Sequence, residues 1–337
     1  MNATMQLEKT KHHPVMLDEI LSIISPQHGG TFVDCTLGGG GYSRAILKHP
    51  NTKVIALDRD GLAKKHADKL KKEFPTRFNF VEDKFSNLNQ IIKSNLNLKA
   101  IIFDLGLSSY QLSDNQRGFS FQSNGFLNME MGLNECKAYD VVNTLEKKYL
   151  ANIIKILGDE KDGKIIANKI ANYRSLKKIK TSEELASIIK EAKTKRRGYS
   201  KNPATKTFQA IRIFVNKEIT ELISGLIEAT KLLPKEAILL VVSFHSIEDK
   251  IVKNFLNLYS NSEKNPSRYL PIKIIDKNLF KIPSKKFQIP SKMEIKKNVR
   301  SRSAKLRYAI RNEKSFFLQE EFKKMFSRYL SLEDLVL

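Results

Sequence analysis

The stretch Asp34-Cys35-Thr36-Leu37-Gly38-Gly39-Gly40-Gly41-Tyr42-Ser43 sets four consecutive glycines between an apolar, β-branched run and a helical pattern. A bare turn after a first strand lets backbone approach a ligand closely, and the helix that follows aims its amide N–H groups at the same place. Asp58 closes the next apolar run about 20 residues on, where a carboxylate accepts from ribose hydroxyls. Together these residues ask for a nucleoside-containing cofactor at the carboxyl edge of a sheet. A dinucleotide fingerprint would need glycine at position 43, which holds Ser43. A ribose-bearing cofactor without a pyrophosphate, S-adenosylmethionine, fits better. Phe85, after the third apolar run, is a candidate to cover an adenine face. Asp104, ending the fourth run, would face the same crevice, and Gln111 would reach it from the following loop.

The elements that must position these groups are legible as alternation. Thr31–Leu37, Lys53–Asp58, Phe78–Val81 and Ala100–Leu105 read as strands, apolar throughout as expected of parallel strands covered on both faces. Tyr42–Lys48, Leu62–Glu73 and Phe85–Leu96 read as the helices between them, so the expectation is βαβ units and a parallel sheet. From Ser108 to Phe126 the chain is polar and reads as an ordered loop. From Ala138 to Ala192 it is helical only, with a capping-box signature at Thr181 and Glu184. Asn202-Pro203 predicts the start of one long helix through Leu233. The strand pattern returns at Ala237–Phe244. The predicted organisation is a discontinuous α/β domain over residues 1–110 and 217–337, interrupted by an all-helical insertion over 111–216.

The 337 residues carry 59 Lys plus Arg against 36 Asp plus Glu, a net charge of +23, which favours a polyanionic partner, nucleic acid ahead of an anionic membrane. The charge is clustered. Lys193–Lys206 holds six basic residues and no acidic one, and Arg268–Arg311 holds fourteen against two. The second stretch reads as a long basic loop or arm, ordered on a partner. Cys35 and Cys136 provide no disulfide framework and no metal spacing, Cys35 reading as a small core residue. The start of the chain lacks the apolar core of a signal peptide, and the run Ala237–Val242 is far too short to span a bilayer. A reduced, cytoplasmic setting is the expectation.

Six segments carry a resemblance: HHPVMLDE (His12–Glu19), DCTLGGGGYS (Asp34–Ser43), DLGLSSYQLSDNQRGFSF (Asp104–Phe121), NPATKTFQAIRIFVN (Asn202–Asn216), VVSFHSIEDKIVK (Val241–Lys253) and NVRSRSAKLR (Asn298–Arg307). Collinear from His12 to about Arg311, they resemble the bacterial small-subunit ribosomal RNA cytosine-N4 methyltransferases, the family called MraW and later RsmH. The resemblance implies a Rossmann-type class I methyltransferase domain with a helical insertion, S-adenosylmethionine as methyl donor, and a cytidine in the decoding region of 16S rRNA as acceptor. It implies cofactor contacts at Gly40, Gly41, Tyr42, Asp58, Phe85, Asp104 and Gln111. Tyr42 stands where the family usually has histidine, and Glu130 where it has arginine.

Methylating an exocyclic amine whose lone pair is delocalised into a ring calls for positioning first: nitrogen held roughly 3 Å from the methyl and in line with the departing sulfur. Ser108, Ser109 and His245 are the candidates to contact the base. A zinc site is not expected from the spacing of the six histidines. A cytosine in folded RNA must be splayed out, which asks for phosphate-gripping surfaces. Lys195, Arg196, Arg197, Lys206, Arg300 and Arg302 are the candidates, with Lys305 and Arg307 beside them and Tyr199 as a stacking ring. A DNA amino-methyltransferase would carry a Pro-Pro-aromatic run after the fourth strand, where this chain has Asp104-Leu105-Gly106-Leu107. The remaining alternative is a non-enzymatic RNA-binding assembly factor.

Overall fold

The computed structural model describes residues 14–93, 96–193, 202–260 and 278–335. Seven strands, β1 (Gly30–Asp34), β2 (Thr52–Asp58), β3 (Phe78–Glu82), β4 (Leu98–Asp104), β5 (Ile238–Ser243), β6 (Phe280–Lys281) and β7 (Lys305–Arg311), form one sheet in the order β3-β2-β1-β4-β5-β7-β6. β1 to β5 run parallel, and β7 runs antiparallel between β5 and β6. The apolar runs are continuous because both faces are covered. Phe32, Val54, Ala56, Ala100, Ile102, Leu240 and Val242 pack on one side with α1 (Leu17–Ile24), α2 (Gly41–Leu47) and α3 (Lys64–Glu73). Val33, Leu57, Ile101, Phe103, Leu239 and Val241 pack on the other, beginning with α4 (Leu88–Ile91). The strand order reverses between β1 and β4, which opens a crevice at their carboxyl ends.

After β4 comes a short helix, α5 (Ser109–Ser113), inside the stretch read as loop, and then α6 (Ala138–Thr144), α7 (Lys147–Leu157), α8 (Gly163–Leu176), α9 (Ser182–Ala192) and α10 (Thr205–Asn216). The Thr181–Glu184 capping box is formed at the start of α9. These helices join the second sheet face in one continuous core.

Three expectations are corrected. The long helix to Leu233 is two helices, α10 and α11 (Glu218–Leu232), because Lys217 between them is left-handed at φ 48°. The turn lets Asn216 hold the 129–134 loop, its Nδ2 donating to the Met129 carbonyl (2.9 Å) and its Oδ1 accepting from Met131 N–H (2.7 Å). The helix over Phe85–Leu96 shrinks to a 3₁₀ turn at Phe85–Asn87 followed by α4. The basic arm is largely folded. After α12 (Ser246–Leu258) and β6 it forms α13 (Lys292–Lys297) and ends as strand β7 inside the sheet. KLRYAIR disguises a strand, because Arg307 pairs with Asp249 (2.7 Å) and buried Arg311 donates to backbone carbonyls. Two helices, α14 (Glu320–Met325) and α15 (Ser327–Glu333), complete the chain.

Candidate active site

A cavity of about 430 Å³ lies in the crevice. One wall is the glycine turn, with Gly38, Gly39, Gly41 and Tyr42; the other walls include Asp58, Phe85, Asp104, Ser108, Ser109 and Gln111. Nearly all the expected cofactor residues are thus brought together, with Gly40 buried behind the turn as the first residue before α2. Gly40 has φ +75°, where a side chain is strained, and a Cβ on Gly41 would meet Pro14 Cγ at 2.2 Å. Ser43, the residue that breaks the dinucleotide pattern, has its own partner: its hydroxyl donates to the buried Asp34 carboxylate (2.7 Å), which braces the turn from below.

Asp58 accepts from the amides of Gly38 (2.8 Å) and Asp60 (2.9 Å), one through each oxygen. Lone pairs remain for a ribose. Desolvation in the crevice pushes Asp58 up to about 6, against these two hydrogen bonds. Asp104 is raised further, to about 8, by desolvation and then by the charge of Asp34, the Tyr42 hydroxyl opposing and Glu248 adding to the rise. Its Oδ1 is buried with no hydrogen-bond partner. The Tyr42 hydroxyl donates to the Val15 carbonyl (2.5 Å), which ties the segment before α1 over the turn. Phe85 is half-buried, edge-on to Phe103 at 5.2 Å.

Gln111 is engaged locally. Its side chain accepts from Ser108 N–H (2.9 Å) in a capping box and donates to Asp60 (2.7 Å), which Arg117 grips with both terminal nitrogens (3.2 and 2.9 Å). Sequence reasoning missed Arg59, Asp60, Tyr110, Glu218, Glu221, Glu248, Asn298 and Arg300 in the cavity wall. For Asp60 the signal was the Asp-x-Asp spacing; for Arg300 it was the basic cluster, read as purely RNA-facing.

His245 stands outside the cavity wall, as the residue preceding α12. Its Nδ1 accepts from Glu248 N–H (3.4 Å), and its Nε2 lies 3.0 Å from Glu248 Oε1 without forming a hydrogen bond. Glu218, His245 and Glu248 cluster closely enough to hold a metal ion. Arg212 already pairs with Glu218 through two contacts of 2.8 Å and acts electrostatically on Glu248, so a cation of the protein already stands beside both carboxylates.

Of the expected RNA contacts, Lys195, Arg196 and Arg197, together with Tyr199, lie outside the described residues. Lys193, counted in that cluster, is buried in an ion pair with Glu160 (2.7 Å), and Lys206 Nζ donates to the Asp159 carbonyl (2.6 Å). Lys305 and Arg307 both pair with Asp249. Arg300 and Arg302 are exposed and, among the described residues, form no ion pair. No described helix is long and apolar enough to cross a membrane.

The chain matches the model of the MraW methylase family over residues 9–312. Ribosomal RNA small subunit methyltransferase H of Ehrlichia ruminantium (strain Welgevonden) is 43% identical over 302 residues, covering 88% of this chain and 98% of that protein. The protein of the same name from Rickettsia canadensis (strain McKiel) is 44% identical over 302 residues, covering 88% and 97%. Among solved structures, an rRNA methylase from Streptococcus thermophilus aligns distantly, with a TM-score of 0.38 at 10% identity, over 87% of this chain and 96% of that one.

Proposed function

Since this chain belongs to the MraW methylase family, an S-adenosylmethionine-dependent methyltransferase of small-subunit ribosomal RNA, we propose that its acceptor is the N4 amine of a cytidine in the decoding region of 16S rRNA. The observation that carries the reading is the crevice at the β1–β4 reversal: a glycine turn, the Asp58 carboxylate bonded to it, and Asp104 with one buried oxygen that has no partner, three groups lining one cavity. These groups fit S-adenosylmethionine. Asp58 would take the ribose hydroxyls, Phe85 would cover the base, and the turn at Gly40, Gly41 and Tyr42 would admit the amino-acid end. Asp104 offers negative charge to a cationic ligand, and Gln111 acts by fixing Asp60 and the α5 loop.

When bound, the cofactor supplies an electrophilic methyl on a sulfonium. The chain's own task is to align the amine with it and exclude water. Ser108 and Ser109 line the cavity and would meet the base, whereas His245 precedes α12 outside the wall. The insertion over 111–216 is read as the RNA-facing unit, joined to the 1–110 and 217–337 domain where Lys217 breaks the helix, with Arg300 in the cavity wall and Arg302 exposed two residues on.

The test is to incubate the protein with S-adenosylmethionine and either 16S rRNA or small subunits, then identify modified nucleosides by mass spectrometry. N4-methylcytidine at one decoding-region position is the expected product. S-adenosylmethionine binding without any methylated nucleoside, alongside tight RNA binding, would instead support the assembly-factor reading.

A further inference from the structure

The cavity wall includes a second carboxylate with a buried oxygen that has no partner. Glu221, on α11, is 8% exposed, and its Oε2 makes no hydrogen bond. A buried acceptor left unpaired costs stability and calls for an explanation. Neighbours locate it within the cavity. Glu221 and Gly225 are one helical turn apart and share a face of α11. A Cβ on Gly225 would meet Phe85 Cδ2 at 2.5 Å, so Gly225 is the slot into which the Phe85 ring fits. Glu221 also interacts electrostatically with Arg59, the residue after Asp58. Glu221 is therefore tied to two sides of the cavity, to the Phe85 ring through Gly225 one turn along α11 and to Arg59 beside Asp58.

Resting on the S-adenosylmethionine reading, we propose that Glu221 is a specificity residue for the cofactor's purine, accepting a hydrogen bond from the exocyclic N6 amine of adenine. An aromatic cover recognises any base, whereas an acceptor in a desolvated wall recognises one with a donor at that edge. A site built around such a bond rejects an analogue lacking the donor, because its own acceptor is then left unpaired. Hypoxanthine is that analogue, carrying a carbonyl oxygen where adenine carries the amine.

The experiment is calorimetric titration of the full chain with S-adenosylhomocysteine and with its deaminated counterpart, S-inosylhomocysteine. The wild-type protein should prefer the adenosyl ligand by about ten- to a hundredfold, the scale of leaving one buried acceptor unpaired. Glu221→Gln, whose amide can donate to the inosyl carbonyl, should narrow that ratio at least about tenfold. Equal affinity of the wild-type chain for the two ligands overturns the proposal without any variant. A Glu221→Gln protein that folds, as judged by thermal unfolding, and keeps the wild-type ratio also overturns it, leaving Glu221 as a counter-charge for Arg59. Failure of the wild-type chain to bind either ligand would instead overturn the cofactor reading on which the proposal stands.

Discussion

Asp58 and Asp104 are both crevice carboxylates, but their environments differ and so do their expected roles. Asp58 has two backbone partners, so Asp58→Ala should remove the ribose acceptor and also loosen the Gly38 amide. S-adenosylmethionine binding should weaken at least about tenfold, the scale of a lost charge-assisted hydrogen bond, with RNA affinity unchanged. Calorimetry beside filter binding checks this, and equal losses in both would break the assignment. Asp104, held up to about 8, is mostly protonated at neutral pH in the free protein. A cationic ligand favours the charged form. Its binding should therefore release a proton and tighten as pH rises from 6 toward 8, by up to about tenfold per unit. Titrations in buffers of differing ionisation enthalpy measure the proton, and Asp104→Asn should remove its share of the dependence. The sequence made these two carboxylates legible because each ends an apolar strand. It did not reveal Glu221, because a glutamate in an amphipathic helix looks like any solvent-facing one until the ring of Phe85 is seen beside it.

At the level of elements, the α/β alternation was readable because buried parallel strands are uninterrupted apolar runs. The misreadings came where side chains serve two purposes. β7 looked like a basic arm because its arginines are held by distant partners, Arg307 by the Asp249 carboxylate and Arg311 by hydrogen bonds to backbone carbonyls, which no local pattern announces. The break between α10 and α11 was hidden because Lys217 carries no glycine-like signal, and Asn216 reveals its role only through contacts 85 and 87 positions away. The fit of α11 against the cofactor wall gives a prediction with competing terms. Gly225→Ala should favour the helix by about 1 kcal/mol on propensity. The added methyl would also force the Phe85 ring aside, and overpacking of this kind costs about 1–3 kcal/mol. The variant should be no more stable than wild type in thermal unfolding, and its affinity for S-adenosylhomocysteine should fall. A clear gain in stability with unchanged affinity would show that Phe85 has room to move. α15 braces the same helix at its first turn, where the Glu333 carboxylate accepts from Ile219 N–H (3.0 Å) and Thr220 N–H (2.8 Å). Glu333→Ala strands both amides and should cost about 1–3 kcal/mol in denaturant unfolding, with no change in the adenosyl-to-inosyl preference.

For the whole molecule, the +23 charge divides into groups with different work, a division that composition alone could not make. Within the basic stretch before Arg311, Lys305 and Arg307 hold Asp249, and Lys305 Nζ and the Arg307 guanidinium both lie over the Phe287 ring, at 4.7 and 5.3 Å. Arg300 and Arg302 are exposed on the turn after α13, and Arg300 also lines the cavity, which on the proposed reading would put it beside an entering nucleotide. The two groups should fail differently. Replacing Arg300 and Arg302 together by alanine should leave thermal stability and cofactor affinity near wild type while weakening RNA binding. Each lost phosphate contact on single-stranded RNA lowers the slope of log K against log salt by about 0.7, so the pair should lower it by about 1.4. Arg307→Ala should act on the fold, since it leaves the buried Asp249 with Lys305 alone, and the expected readout is a lower unfolding temperature. If the double variant keeps the wild-type salt slope, the RNA does not cross this edge of the cavity, and the phosphate grip must come from the insertion side of the molecule. If Arg307→Ala instead reproduces the slope change with full stability, the division between structural and RNA-facing cations drawn from the Asp249 pairing is reversed.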